Sequence, residues 1–175
     1  MPGDGRKCRK IIKRMSNNIH HKLNKNDALS IILVLVIIAT IAFIWGNSLE
    51  SIAVSGQKSN RVLKAIAFIL EPIFGKASAT DHFVRKIAHF IEFCWLGICV
   101  VLIPIVRDRL SLQSVINCMF FCLSVAVIDE ALQIISERGS QVKDILLDFS
   151  GASSGILFVV ILHWIVNYLI AHKKP

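Results

Sequence analysis

The chain has 175 residues, of which 54% are hydrophobic and 18% charged, with a formal net charge of +8. That balance, with a mean hydropathy of +0.62, excludes an ordinary soluble domain and places the chain in a membrane. The positive charge does not read as a nucleic-acid surface, because no aromatic side chains interleave with the bases.

From the N-terminus, residues 1–27 read as a basic tail carrying Arg6, Lys7, Arg9, Lys10, Lys13, Arg14, Lys22 and Lys25. The first apolar run, Ala28 to Trp45, is long enough to span a bilayer. The segment before it is long for the n-region of a signal peptide, and the small-residue site Ala53-Val54-Ser55 after it is weak, so an uncleaved anchor is expected. The connection Gly46 to Asp81 contains "RVLKAIAFILEPIF", with Val62, Ile66, Ile69, Leu70 and Ile73 on one side and Arg61, Lys64 and Glu71 on the other. This predicts an amphipathic helix that ends at Pro72. It would either lie on the outer leaflet, roofing the bundle, or pack against the bundle rim.

Three further spans follow, so the fold class is all-α: four transmembrane helices at about 28–46, 82–106, 111–135 and 143–170, in one domain over 28–171. The third is accepted with Asn117, Asp129, Glu130 and Gln133 inside it or at its edge. Arg107 and Arg109 lie between the second and third spans, and Lys173 and Lys174 close the chain. By the positive-inside rule these segments and the basic tail share the cytoplasmic side, so both termini face in. The tail would also touch anionic lipid heads. Cys94, Cys99, Cys118 and Cys122 fall in apolar helices without Cys-x-x-Cys or metal-ligand spacing, and read as small packing residues. His20, His21 and His163 carry no evident role.

This topology predicts a convergence of polar residues at the outer side. His82, Arg85, Lys86, His89 and Glu92 open the second helix, Asp129, Glu130 and Gln133 close the third, and Asp144 and Asp148 open the fourth. At about 100° per residue the five on the second helix share an arc of roughly 120°. Glu130 and Gln133, three apart, are neighbours on their helix. Asp144 and Asp148 continue at helical spacing into Gly151 and Gly155, a Gly-x-x-x-Gly face that lets another helix approach closely and would also serve contact between copies of the chain. Charges near mid-bilayer cost several kcal/mol unless paired or wetted, so a polar pocket open to the extracytoplasmic side is expected.

The strings "RKIAHFIEFCWLG" (Arg85 to Gly97) and "DEALQIISERGSQVKDILLDFSGASSG" (Asp129 to Gly155) resemble the two signature blocks of the VanZ-like family of bacterial membrane proteins. "GNSLES" (Gly46 to Ser51) is similar to the polar segment after that family's first helix, and the resemblance covers roughly residues 30 to 168. Lys-x-x-His-Phe, Asp-Glu-x-x-Gln, then Arg, Asp and Gly-x-x-x-Gly in that order make a specific joint pattern. The resemblance implies a bacterial cell-membrane protein with Lys86, His89, Glu92, Glu130, Gln133, Arg138, Asp144 and Asp148 as its characteristic polar positions. Many members have asparagine in place of Asp148. The family takes its name from a glycopeptide-resistance cluster in which the member is associated with reduced susceptibility to teicoplanin.

Three functions fit these residues. The first is recognition of an envelope lipid or lipid-linked precursor, with Arg85, Lys86 and Arg138 on phosphate, and Gln133, Asp144 and Asp148 orienting the headgroup. The second is an enzyme acting on such a lipid, with His89, Glu92 and Glu130 supplying acid and base, although no Gly-x-Ser-x-Gly or phosphate loop is present. The third is an ionic network that holds the helices together and takes no ligand. No cofactor is implied. A metal is not expected either, since Lys86 and Arg85 on the same face would already neutralise the carboxylates.

Overall fold

A computed structural model describes residues 5–49, 81–135 and 141–172, with side chains from Lys25 onward in the first helix and from Phe83 onward in the second. Four α-helices account for nearly all of them: α1 (Gly5–Ser48), α2 (Asp81–Val106), α3 (Leu112–Ile135) and α4 (Val142–His172). Each holds a segment long and apolar enough to cross a membrane, Lys25–Ser48 in α1, Phe83–Val106 in α2, and α3 and α4 over their full lengths. The amphipathic segment expected between the first two spans, and Arg138, lie outside the described residues. α1 runs unbroken through the tail boundary drawn at residue 27. Nothing interrupts it, because no proline falls between Pro2 and Pro72, and the basic residues of the tail are good helix formers.

The helix ends are built by local chemistry. At the end of α2, Asp108 N donates to Ile105 O at 3.0 Å and Arg109 N to Pro104 O at 2.8 Å. This is the double hydrogen bond of a Schellman cap, and Asp108 takes the left-handed position at φ 52° that glycine usually fills. α3 opens on a reciprocal pair: Ser114 N donates to the Ser111 hydroxyl at 3.2 Å, and Ser111 N to the Ser114 hydroxyl at 2.8 Å. Serine at both positions makes a capping box of the shorter kind. Pro104, inside α2, cannot donate to the carbonyl four residues back. That carbonyl, Val100 O, takes the Cys118 thiol of α3 at 3.9 Å instead.

The core runs along the middle of the bundle, with Phe93, Leu96, Cys99 and Val101 of α2, Cys122, Val125 and Ala126 of α3, and Ala152 and Ile156 of α4. Cys99, Cys118 and Cys122 are buried free thiols, which agrees with a packing role. The closest seam joins α2 to α4. A Cβ at Gly151 would collide with the Phe90 carbonyl, one at Gly155 with the Cys94 carbonyl, and one at Gly97 with the Ala152 carbonyl. The Gly-x-x-x-Gly face therefore admits α2 of the same chain, and an assembly of copies through Gly151 and Gly155 would have to displace it.

Candidate functional site

The seam sets the start of α2 beside the start of α4, and the ends of α1 and α3 arrive at the same end of the bundle. Lys86 of α2 reaches Asp144 in the first turn of α4, Nζ to Oδ1 2.7 Å, with both side chains partly exposed. A carboxylate there also faces the positive end of the helix dipole. One turn further along α2, His89 Nδ1 stands 4.0 Å from Glu92 Oε2 on its own helix and 4.0 Å from Asp129 Oδ2 on α3. The other oxygen of Glu92 accepts from the Asn47 amide of α1 at 3.5 Å.

Three carboxylates lie deeper. Asp129 is 0% exposed, Glu130 1% and Asp148 2%. Gln133 donates its amide to Asp129 Oδ2 at 2.9 Å. This is an Asp129–Gln133 contact at the (i, i+4) spacing, beside the (i, i+3) neighbourhood of Glu130 and Gln133 on the same helix. Glu130 turns the other way, and one of its oxygens accepts the backbone N–H of Gln141 ahead of α4. It thereby ties the end of α3 to the start of α4, while its second oxygen is buried without a partner among the described residues. One ligand atom each from His89, Asp129 and Asp148 lies within 4.8 Å of the other two.

Of the residues expected at the site, Arg85, Lys86, His89, Glu92, Glu130, Gln133, Asp144 and Asp148 all fall at this end, with Arg85 half-buried. Arg138 lies outside the described residues, as does the side chain of His82. The structure adds Asn47, through Glu92, and the fully buried Ser48 beside it. Both belong to "GNSLES", where asparagine and serine at the foot of an apolar helix were the available signal.

Two cavities lie among the described residues near the ends of the bundle. A groove of about 400 Å³ between α1 and α2 is lined by Ala39, Thr40, Phe43, Ile91, Trp95 and Glu92, so one carboxylate closes an otherwise largely apolar slot. At the opposite end, a second cavity of about 410 Å³ is lined by Arg107, Arg109, Ser111 and Ser114 among others. Arg107 there donates from Nε to the Ser30 hydroxyl of α1 at 3.2 Å.

Four spanning helices around a cluster of buried ionisable side chains define a multi-pass membrane protein with a polar centre at one end. The family model of VanZ/LLP1 matches residues 31–163, which takes in every element of that cluster, and the chain belongs to this family. No curated protein and no solved structure gives a match.

Proposed function

We propose that the chain recognises the headgroup of an envelope lipid, or of a lipid-linked envelope precursor, at the carboxylate end of its bundle. The observation that carries this reading is the groove between α1 and α2. Phe43, Ile91 and Trp95 are exposed along it, as lipid-facing side chains are, and Glu92 stands in its wall. A lipid entering sideways would lay its chain on the aromatic rings and present its headgroup to Glu92, Asn47 and the partly exposed Lys86. Lysine offers phosphate a point charge, and intramembrane ionisable residues generally mark such sites. By the positive-inside rule Arg107 and Arg109 put the other end in the cytoplasm, so the lipid would come from the outer leaflet.

The test is native mass spectrometry of the protein released from lipid nanodiscs, comparing wild type, Lys86→Met and Glu92→Gln. A headgroup-specific lipid retained by wild type and lost at least tenfold in both variants is the expected result. Equal retention by all three would remove the site. In cells, wild type but not Glu130→Gln, at matched membrane abundance, should lower teicoplanin susceptibility if the family's association extends to this member.

The enzyme reading is kept for one reason, the position of His89 at 4.0 Å from two carboxylates on different helices. An imidazole so placed can pass a proton between substrate and carboxylate. Turnover of the retained lipid, abolished by His89→Gln while binding persists, would separate chemistry from recognition.

A further inference from the structure

The arginine end of the bundle gathers charge of the opposite sign. At about 100° per residue, side chains two apart on a helix point roughly 200° from each other, so Arg107 and Arg109 would diverge if α2 continued. Instead the chain turns left-handed at Asp108, φ 52°. Both arginines then line one cavity of about 410 Å³ between the end of α2 and the start of α3. Asp108 is not among its lining residues, and no acidic side chain among the described residues lines it. Two exposed cations thus share a concave space with no counter-charge in its wall.

The rest of that wall suits an anion joined to an apolar tail. Ser30 Oγ of α1 accepts from Arg107 Nε at 3.2 Å, which steadies the guanidinium and leaves its two terminal nitrogens outside that bond. Asn117 Oδ1 accepts from the Gln113 amide at 2.9 Å, so the amide hydrogens of Asn117 are left to donate. Beside these donors stand Ile103, Pro104 and the buried Cys118. Guanidinium groups pair with phosphate oxygens two at a time.

Depth decides what carries the phosphate. The seam sets Gly155 against Cys94, and equal steps along the two parallel helices from that contact bring Tyr168 level with Arg107. Tyr168 stacks on Trp164 with ring centroids 5.7 Å apart, and both rings are exposed. Exposed tryptophan and tyrosine near the end of a span mark the headgroup layer, so the arginine cavity opens at the depth of lipid phosphates. Free phosphate would gain nothing from the apolar part of the wall.

We propose that this cavity binds the phosphate of an anionic phospholipid from the leaflet at its own end, held by Arg107 and Arg109 with Asn117 as a further donor. Basic pockets between spans hold anionic headgroups in this way. The site is separate from the groove between α1 and α2 and does not depend on it.

The test titrates the full-length protein in a neutral detergent with phosphatidylglycerol, phosphatidylcholine or inorganic phosphate, and native mass spectrometry counts the bound species. One phosphatidylglycerol per chain is expected at a concentration at least about fivefold below that needed for phosphatidylcholine, a ratio in keeping with a single charge contact. Arg109→Gln, a change at an exposed side chain, should remove most of that preference, and Arg107→Gln should act alike. Lys25→Gln deletes an exposed charge at the same end, outside the cavity, and should leave the preference intact. Equal affinity of wild type for the two lipids, undiminished preference in folded Arg109→Gln, an equal loss in Lys25→Gln, or displacement of the lipid by inorganic phosphate at equal concentration would each overturn the site. The groove is read by Lys86→Met and Glu92→Gln, which leave this cavity's wall intact, so the two proposals fail separately.

Discussion

At one end of the bundle Asp129, Glu130 and Asp148 are sealed between three helices, whereas at the other Arg107 and Arg109 stand exposed around a cavity. The arginines keep access to water or lipid heads, and Arg107 spends one hydrogen bond on Ser30 of α1. Such charges are cheap to hold. The carboxylates have given up solvent, and local contacts or protons must offset that loss. On the reading proposed above, this asymmetry makes the carboxylate end the functional one and the arginine end the anchor.

The strongest way to break this contrast is to part the helices that create it. Gly155→Val should destabilise the fold by about 3 kcal/mol or more, because the new side chain meets the Cys94 backbone, which cannot step aside. Unfolding in a graded denaturing detergent would register the loss, and near-wild-type stability would show that the seam is looser than described. Next in size, Lys86→Met should cost about 1–2 kcal/mol, a partly exposed pair lying between surface and buried cases, and adding Asp144→Asn should recover part of it. Arg107→Gln at the other end should cost under about 1 kcal/mol. If the two single variants cost the same, the ends do not differ as argued. The smallest effect sharpens the anchor end alone: Asp108→Gly should raise stability by about 0.5–1 kcal/mol, since glycine takes φ 52° without strain. Asp108→Val should lower it.

The four spans were legible because each is a long apolar run, and their observed ends differ from the expected ones by a residue or two except at the start of α1. There the charges suggested a tail, but charge alone does not stop a helix, and no breaker intervenes. The site was legible as a convergence, since topology brings the polar turns of three helices to one end. Partner choice was not. Spacing on a single helix makes Glu130 and Gln133 neighbours, but it does not show that adjacent Asp129 and Glu130 are both buried, one toward α2 and the other toward the start of α4. That split depends on what stands across each face, which no periodicity encodes. The engagement of Lys86 by Asp144 likewise follows from α2 and α4 being in contact.

The glycine seam also fixes vertical alignment. Gly151 lies over Phe90 and Gly155 over Cys94, each in a slot sized for a hydrogen atom. A slip of α4 by one helical turn, about 5.4 Å, would bring Leu147 to the Phe90 slot in one direction and Val159 to the Cys94 slot in the other. Neither fits, so the two helices mesh like a key with a single working depth. The height at which Lys86 meets Asp144 is thereby cut into the backbone, before any charge is counted.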